Sequence, residues 1–288
     1  MILVTGAGGK TGRAVISALV ALRQPVRALV HREGNVPAVE SLGAKQVVVG
    51  DMRSKTVVAD ALREVDSVYH ICPNVNPDEV SMGKIAIDAA SAAQVDLFVF
   101  HSVLHPQIEA MSHHWSKLRV EEALFESKLP FAILQPAPYM QNILGEWQAI
   151  TERGVYAVPY SVEDPMSLVD LEDVARAAAT VLCEPDYSGG TYEIAGPAVL
   201  SPREMASIIG GRLGRDVRAE QISTEAWKQR AMVSGLSRYQ VEALIRMFNY
   251  YNKNGLIGNS HVLRSLIGRS PTTFETFIQR TAREPAGK

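Results

Sequence analysis

Three glycines recur at intervals of three residues near the start of the chain, Gly6-x-x-Gly9-x-x-Gly12, inside the run Thr5-Gly6-Ala7-Gly8-Gly9-Lys10-Thr11-Gly12. Where a strand passes into a helix, such a run can cradle a diphosphate. The first glycine permits the tight turn, the second lets main chain approach the phosphates, and the third allows close helix–strand packing. The opening amides of the helix offer donors at the positive end of its dipole. An apolar run, residues 2–5, precedes the glycines, and a segment of helical period, residues 12–22, follows them. Gly6, Gly8, Gly9, Lys10, Thr11 and Gly12 are therefore read as dinucleotide-binding. The spacing around Lys10 and Thr11 is not that of a Walker phosphate loop, which makes an ATPase a poor reading.

About 20 residues further on, the end of the second strand should carry the group that reads the adenosine ribose: a carboxylate for the free hydroxyl of NAD, or a cation for the phosphate of NADP. The sequence there is Arg27-Ala28-Leu29-Val30-His31-Arg32, without a carboxylate. His31 and Arg32 favour NADP(H) over NAD(H), because a guanidinium grips a phosphate bidentately. Glu33, facing the ribose in place of Arg32, would invert that preference.

His113 and Lys117 stand four residues apart in a segment of helical period, residues 112–127, so both project from one face. The pair could serve catalysis, with His113 as a proton donor and Lys117 as the cation beside it. The competing reading makes His113 and His114 half-solvated residues of a helix start. His101, His105, His113 and His114 with Glu109 invite a zinc site, but their spacing fits no zinc pattern and no metal is expected. Cys72 and Cys183 are too few for a disulfide framework and form no CxxC motif, so they read as small buried hydrophobes. Tyr139, Met140, Trp147 and Met166 are the candidate substrate pocket. They lie on connections expected to emerge above the carboxyl ends of the strands, where open α/β sheets bind ligands. Later aromatics, among them Trp227, Phe248, Tyr251, Phe274 and Phe277, read mostly as core.

Groups so placed need a sheet to hold them. Short apolar runs at 2–5, 25–30, 46–49, 67–71, 97–101 and 131–134 alternate with longer helical segments. Continuous apolar runs suit strands buried on both faces, so the expected fold is α/β: a doubly wound parallel-sheet Rossmann domain with a smaller, mainly helical C-terminal substrate lobe. After residue 136 the rhythm changes, with a strand expected near 167–170, a helix over 172–183 and a strand near 192–195. Ser201-Pro202-Arg203-Glu204 has the spacing of a capping box. The expected division is a nucleotide domain over 1–155 with return segments at about 166–196, a lobe over 197–288, and a cleft between them. Glu284 to Lys288 read as a frayed tail.

The chain has 288 residues, 29 Lys and Arg against 31 Asp and Glu, and 47% hydrophobic residues. A net charge of −2 without a basic block argues against phosphate-driven nucleic-acid binding. No apolar window long enough to span a bilayer escapes a charge, so no membrane segment is expected. The opening residues lack a charged n-region and a cleavage site, and a cytoplasmic location is expected.

On these residues the chain resembles the NmrA-like branch of the atypical short-chain dehydrogenase/reductases. The resemblance rests on Val4 to Gly12, Val26 to Arg32, Gly50-Asp51, Lys117 with Val120-Glu121, Phe131 to Pro136, Tyr139 to Asn142, and Leu266 to Pro271 with Phe274. That is nearly the whole chain. The resemblance implies an NAD(P)-binding Rossmann domain with Asp51 and Met52 beside the adenine, and with His70 to Pro73, including Cys72, along the cofactor. It places Ser102 behind the nicotinamide, Lys117 near its ribose, and Pro136 to Tyr139 over the nicotinamide side. His31 stands where the family usually has Arg, which shifts the phosphate grip to Arg32. The larger superfamily delivers a proton with Tyr-x-x-x-Lys, and here His113 replaces the tyrosine. Relatives that reduce quinones, activated double bonds or cationic dyes do so without that tyrosine. The expected activity is therefore NADPH-dependent hydride transfer to a small electron-poor acceptor: a quinone, an enone or a dye-like aromatic. The alternative is a non-catalytic NADP(H) sensor that acts through a protein partner. The oligomeric state stays open.

Overall fold

Three consecutive buried aliphatic residues, Ile2–Val4, form β1 in the interior of the sheet in the computed structural model, which describes residues 1–283. The stretch Glu284 to Lys288, expected to fray, lies outside the described residues. Helix α1 (Lys10–Ala21) leads to β2 (Val26–Val30), and α2 (Val36–Ser41) to β3 (Gln46–Val49). The alternation continues through α3 (Lys55–Ala61), β4 (Ser67–His70), α4 (Glu79–Ala93), β5 (Leu97–His101), α5 (Ser112–Glu126) and β6 (Phe131–Pro136). Next come α6 (Trp147–Arg153), β7 (Val155–Val158), β8 (Met166–Ser167), α7 (Leu171–Cys183), β9 (Thr191–Ile194) and β10 (Val199–Leu200). The chain then runs through α8 (Pro202–Leu213), β11 (Arg218–Gln221), α9 (Thr224–Val233), α10 (Arg238–Asn254), α11 (Ser260–Ile267) and α12 (Phe274–Arg283).

The main sheet has the order β3-β2-β1-β4-β5-β6-β9. β1 pairs in parallel with β2 on one side and β4 on the other, Ile2 lying opposite both Val26 and Ser67. The winding reverses between β1 and β4, the place where sheets of this kind bind ligands beyond their carboxyl ends. Every residue of β1, β2, β4 and β5 is buried, as continuous apolar runs require. β3 departs from that expectation: no strand lies beyond it at the sheet edge, and Val49 is 42% exposed. Leu3, Leu29, Val68, Phe98, Phe100 and Ile133 share a core with the apolar faces of α3, α4 and α5. α7 packs against α1 and against β4, β5 and β6.

The chain divides into two compact units. The first comprises Met1–Glu109, His113–Pro136 and Leu171–Glu193, and holds the sheet. The second comprises Ala110–Ser112, Ala137–Asp170 and the chain from Ile194 onward. Residues 137–155, grouped with the first unit from the sequence, fall in the second. That second unit is helical from α8 onward, as expected, but it also carries a parallel pair, β7 with β11, and an antiparallel pair, β8 with β10. β11 escapes sequence reading because Arg218-Ala219-Glu220-Gln221 has no apolar run; pairing with β7, rather than propensity, makes it a strand. The capping box at Ser201 is present, Ser201 Oγ accepting from Glu204 N while the Glu204 carboxylate accepts from Ser201 N. Phe248, Tyr251, Phe274 and Phe277 are core residues, as read. Of the cysteines, Cys72 is buried, but Cys183 is exposed at the end of α7, where the apolar face of the helix runs out.

The joint between β1 and α1 tolerates no side chain at its third glycine. A Cβ on Gly12 would sit 2.6 Å from Gly6 O and 2.7 Å from Ala7 Cα, both backbone atoms that cannot swing aside. A Cβ on Gly9 would meet only Gly6 O, at 3.3 Å, and Gly9 has an extended φ of −79°. Gly12→Ala is therefore expected to cost about 1–3 kcal/mol of unfolding free energy, on the scale of an overpacked core, and Gly9→Ala clearly less. Urea unfolding of both variants checks this; equal losses would contradict the packing assignment.

Candidate functional site

The turn after β1 is closed tightly on one side and open on the other. Gly6 has a φ of +56°, the left-handed region, and a Cβ there would meet Ile71 O at 2.7 Å. Thr5 ties the neighbouring strand end in place, its Oγ1 accepting from Ile71 N at 2.9 Å and lying 3.1 Å from His70 Nδ1. Gly9, by contrast, is exposed and caps α1 without a side-chain hydrogen bond. The opening amides of an α-helix have no acceptor within the helix. An uncapped start beside an exposed glycine offers them to an anion, so the residues present fit a diphosphate.

At the ends of β2 and β3, His31 and Arg32 are both exposed. Asp51 is held by Arg53, which donates from Nε to Oδ1 and Oδ2 at 3.1 and 3.0 Å and from Nη2 to Oδ2 at 2.6 Å. Hydrogen bonds from the Arg53 side chain, then from its backbone amide, lower the Asp51 pKa to about 2. Met52 is buried beneath it.

Beyond β4 and β5 lies a buried polar network. Lys117, on α5, donates to Glu79 Oε1 at 2.9 Å and to the His101 carbonyl at 3.2 Å, and its ammonium lies 5.3 Å from the Phe100 ring centre. Glu79, in the first turn of α4, is only 3% exposed. Cys72 Sγ lies 3.4 Å from His70 Nε2, and Pro73 beside it is exposed. Tyr69 Oη lies 2.5 Å from His101 Nδ1. Burial, with the Lys117 charge second, lowers the pKa of His70 and of His101 to about 3. Ser102 is buried and donates to Glu121, which also accepts from Gln135 Nε2 at 3.0 and 3.1 Å. Burial raises the Glu121 pKa against the opposing pull of those two donors.

The half-solvated reading holds for His113, which is half-buried, and gives way to burial for His114. His114 is 1% exposed, and its Nδ1 lies 3.4 Å from the His105 carbonyl oxygen. His113 Nδ1 is buried without a partner among the described residues, with its ring edge-on to His114 at 4.6 Å. Burial, then Lys117, lowers the His113 pKa to about 4; burial, then His113, lowers that of His114 to about 3. Both rings are neutral at pH 7. Among the described residues no group of three His, Cys, Asp or Glu is arranged to hold a metal.

Pro136 ends β6 in the first unit. Tyr139, Met140, Trp147 and Met166 all belong to the second unit. Met140 and Met166 are each 3% exposed, Met140 N donating to Val169 O and Met166 pairing in β8 with Leu200. Tyr139 and Trp147 are half-buried. Sequence reasoning missed Glu79, Tyr69 and Arg53; the partners of Glu79 and Tyr69 are set by the fold, whereas Asp51 stands only two residues from Arg53.

A family model described as the NmrA-like family matches residues 1–278. The chain belongs to the NmrA-like family. The NmrA-like chain is 30% identical over 284 residues to an NAD(P)H azoreductase of Xenophilus azovorans, 98% of each chain being covered. It is 26% identical over 275 residues to quinone oxidoreductase 2 of Escherichia coli K12, covering 95% of this chain and 96% of that one. The crystal structure of an NADPH-dependent quinone oxidoreductase from Escherichia coli complexed with NADPH superposes with a TM-score of 0.86 at 24% identity, over 98% of this chain and 100% of the other. It shares the fold. No helix of the NmrA-like chain, among the described residues, is long and apolar enough to cross a membrane.

The neutral histidines tie this protein's stability to pH. His70, His101 and His114 fall from the usual 6.5 to about 3 in the folded state, so below about pH 6.5 the unfolded chain binds more protons. Their contribution is complete above the unfolded value and is lost as pH falls from 6.5 toward 3. Urea midpoints should hold level from pH 8 to about 7 and then decline toward pH 4. A midpoint unchanged between pH 7 and 5 would contradict the buried, neutral assignment.

Proposed function

We propose that this NmrA-like protein is an NADPH-dependent reductase that delivers hydride to a small electron-poor acceptor, a quinone or a dye-like aromatic. The observation that carries the reading is the presence, in one unit, of an uncapped glycine turn and an ammonium fixed by a buried carboxylate beyond the end of β5. The 30% identity to an NAD(P)H azoreductase over almost all of both chains supports it. The nicotinamide supplies the hydride when bound.

The chain's own residues bind, orient and set the charge. Main-chain groups from Gly6 to Gly12, with Lys10 and Thr11 at the helix start, take the diphosphate. His31 and Arg32 take the adenosine 2′-phosphate, Asp51 and Met52 flank the adenine, and Cys72 and Pro73 line the cofactor's course. Ser102 is positioned behind the nicotinamide by Glu121, and Pro136 lies on the nicotinamide side. Lys117 gives two of its three protons to Glu79 and the His101 carbonyl, which leaves the third for a ribose hydroxyl. A fixed positive charge there favours the negative charge that grows on an acceptor as hydride arrives. His113, neutral at pH 7, offers a ring N–H or lone pair rather than a stored acid proton. Electron-poor acceptors need little acid assistance, so the loss of the superfamily tyrosine is compatible with reduction.

Removing Lys117 alone would strand Glu79 as a buried unpaired charge, a loss of about 3–5 kcal/mol. Lys117→Met combined with Glu79→Gln avoids this. The double variant is expected to unfold near the wild-type midpoint, to bind NADPH within about tenfold of wild type, and to lose about a hundredfold or more in kcat. NADPH oxidation against quinones, azo dyes and triarylmethane dyes reads the result. Wild-type protein that binds NADPH but reduces none of these acceptors, or a double variant with undiminished kcat, would contradict the reading.

A further inference from the structure

We propose that Arg13 is a second, pre-positioned cation for the adenosine 2′-phosphate, held by Asn35 on the loop that carries Arg32. The inference rests on the nucleotide site proposed above and adds a residue to it. Arg13 follows the third glycine of the turn, on the first turns of α1, and is half-buried. Its Nη2 donates to Asn35 Oδ1 at 3.3 Å, and among the described residues that neutral amide is its one partner. Its Nε is buried with no acceptor among the described residues. Asn35 is tied to Arg32 by a backbone hydrogen bond, Asn35 N to Arg32 O at 3.0 Å. The Asn35 side chain also lies against the glycine turn, where a Cβ on Gly8 would come within 2.7 Å of Asn35 Nδ2. Arg13 and Arg32 are thus two guanidinium groups on one short loop and the helix beside it.

A purely structural role fits these facts poorly. Taking a guanidinium partly out of water costs more than one long hydrogen bond to a neutral amide returns, and any neutral donor could bridge α1 to the loop. An anion between the two arginines would compensate the charge. The choice of anion follows from position: Asn35 belongs to the loop after β2, on the ribose side of the turn, so the 2′-phosphate rather than the diphosphate is the partner. Arg13 then sets the preference for NADPH over NADH.

The test uses the full chain and calorimetric affinities for four probes: 2′,5′-ADP and NADPH, which carry the 2′-phosphate, and 5′-AMP and NADH, which lack it. Arg13→Gln is expected to weaken the first two by about ten- to a hundredfold and to leave the others within about threefold, the scale of charge-assisted hydrogen bonds. Arg13→Lys should recover part of the loss, and Asn35→Ala should reproduce a smaller part of it, with Arg32→Ala as the reference. Equal weakening of all four probes, or of none, overturns the assignment to Arg13. If Arg13→Gln keeps the wild-type discrimination, Arg13 is overturned while the proposed reductase stands; if wild-type protein takes up neither nucleotide, both fail.

Discussion

The closeness of two pieces of backbone governs this molecule: the turn after β1 passes the carbonyl of Ile71 and then folds onto itself at Gly12, leaving no room for a Cβ at either point. Glycine at these positions lets α1 start within a short turn after β1, with Gly9 at its N-cap. The same approach links β1 to β4, the two strands between which the sheet reverses its winding. A wider turn would move the helix start away from that reversal and separate the anion-binding amides from the groups at the ends of β4 and β5.

Charge in the first unit is arranged with comparable economy. Lys117 is a cation among buried rings, and its field adds to burial in keeping His70, His101 and His113 neutral. Glu79 balances it, and the His101 carbonyl and the Phe100 ring complete its surroundings. The result is a buried lysine–glutamate ion pair set among neutral histidines. Glu121, its pKa raised by burial, accepts hydrogen bonds from Ser102 and Gln135.

Local spacing carried the parts of this arrangement that were legible in the sequence. The glycine triplet, the six strands of apolar residues, Lys117 on its helix and the capping box at Ser201 each declare themselves within a dozen residues. Glu79 does not, because its partner lies 38 positions away and only the packing of α4 beside α5 brings them together. Nor does Arg13, because its partner Asn35 lies 22 positions on and reaches it only through the loop after β2. The burial of His114 is not legible because burial at a helix start depends on the chain that packs over it. β11 hides for the opposite reason: its residues are polar, and its strand character comes from β7.

Hydrogen–deuterium exchange of the full chain with and without NADPH tests most directly whether the turn after β1 grips a nicotinamide nucleotide through main-chain amides. The account predicts strong, local slowing of exchange over residues 6–13 on binding, together with the loop at 31–35. Saturation with NADPH that leaves exchange in residues 6–13 unchanged would contradict it.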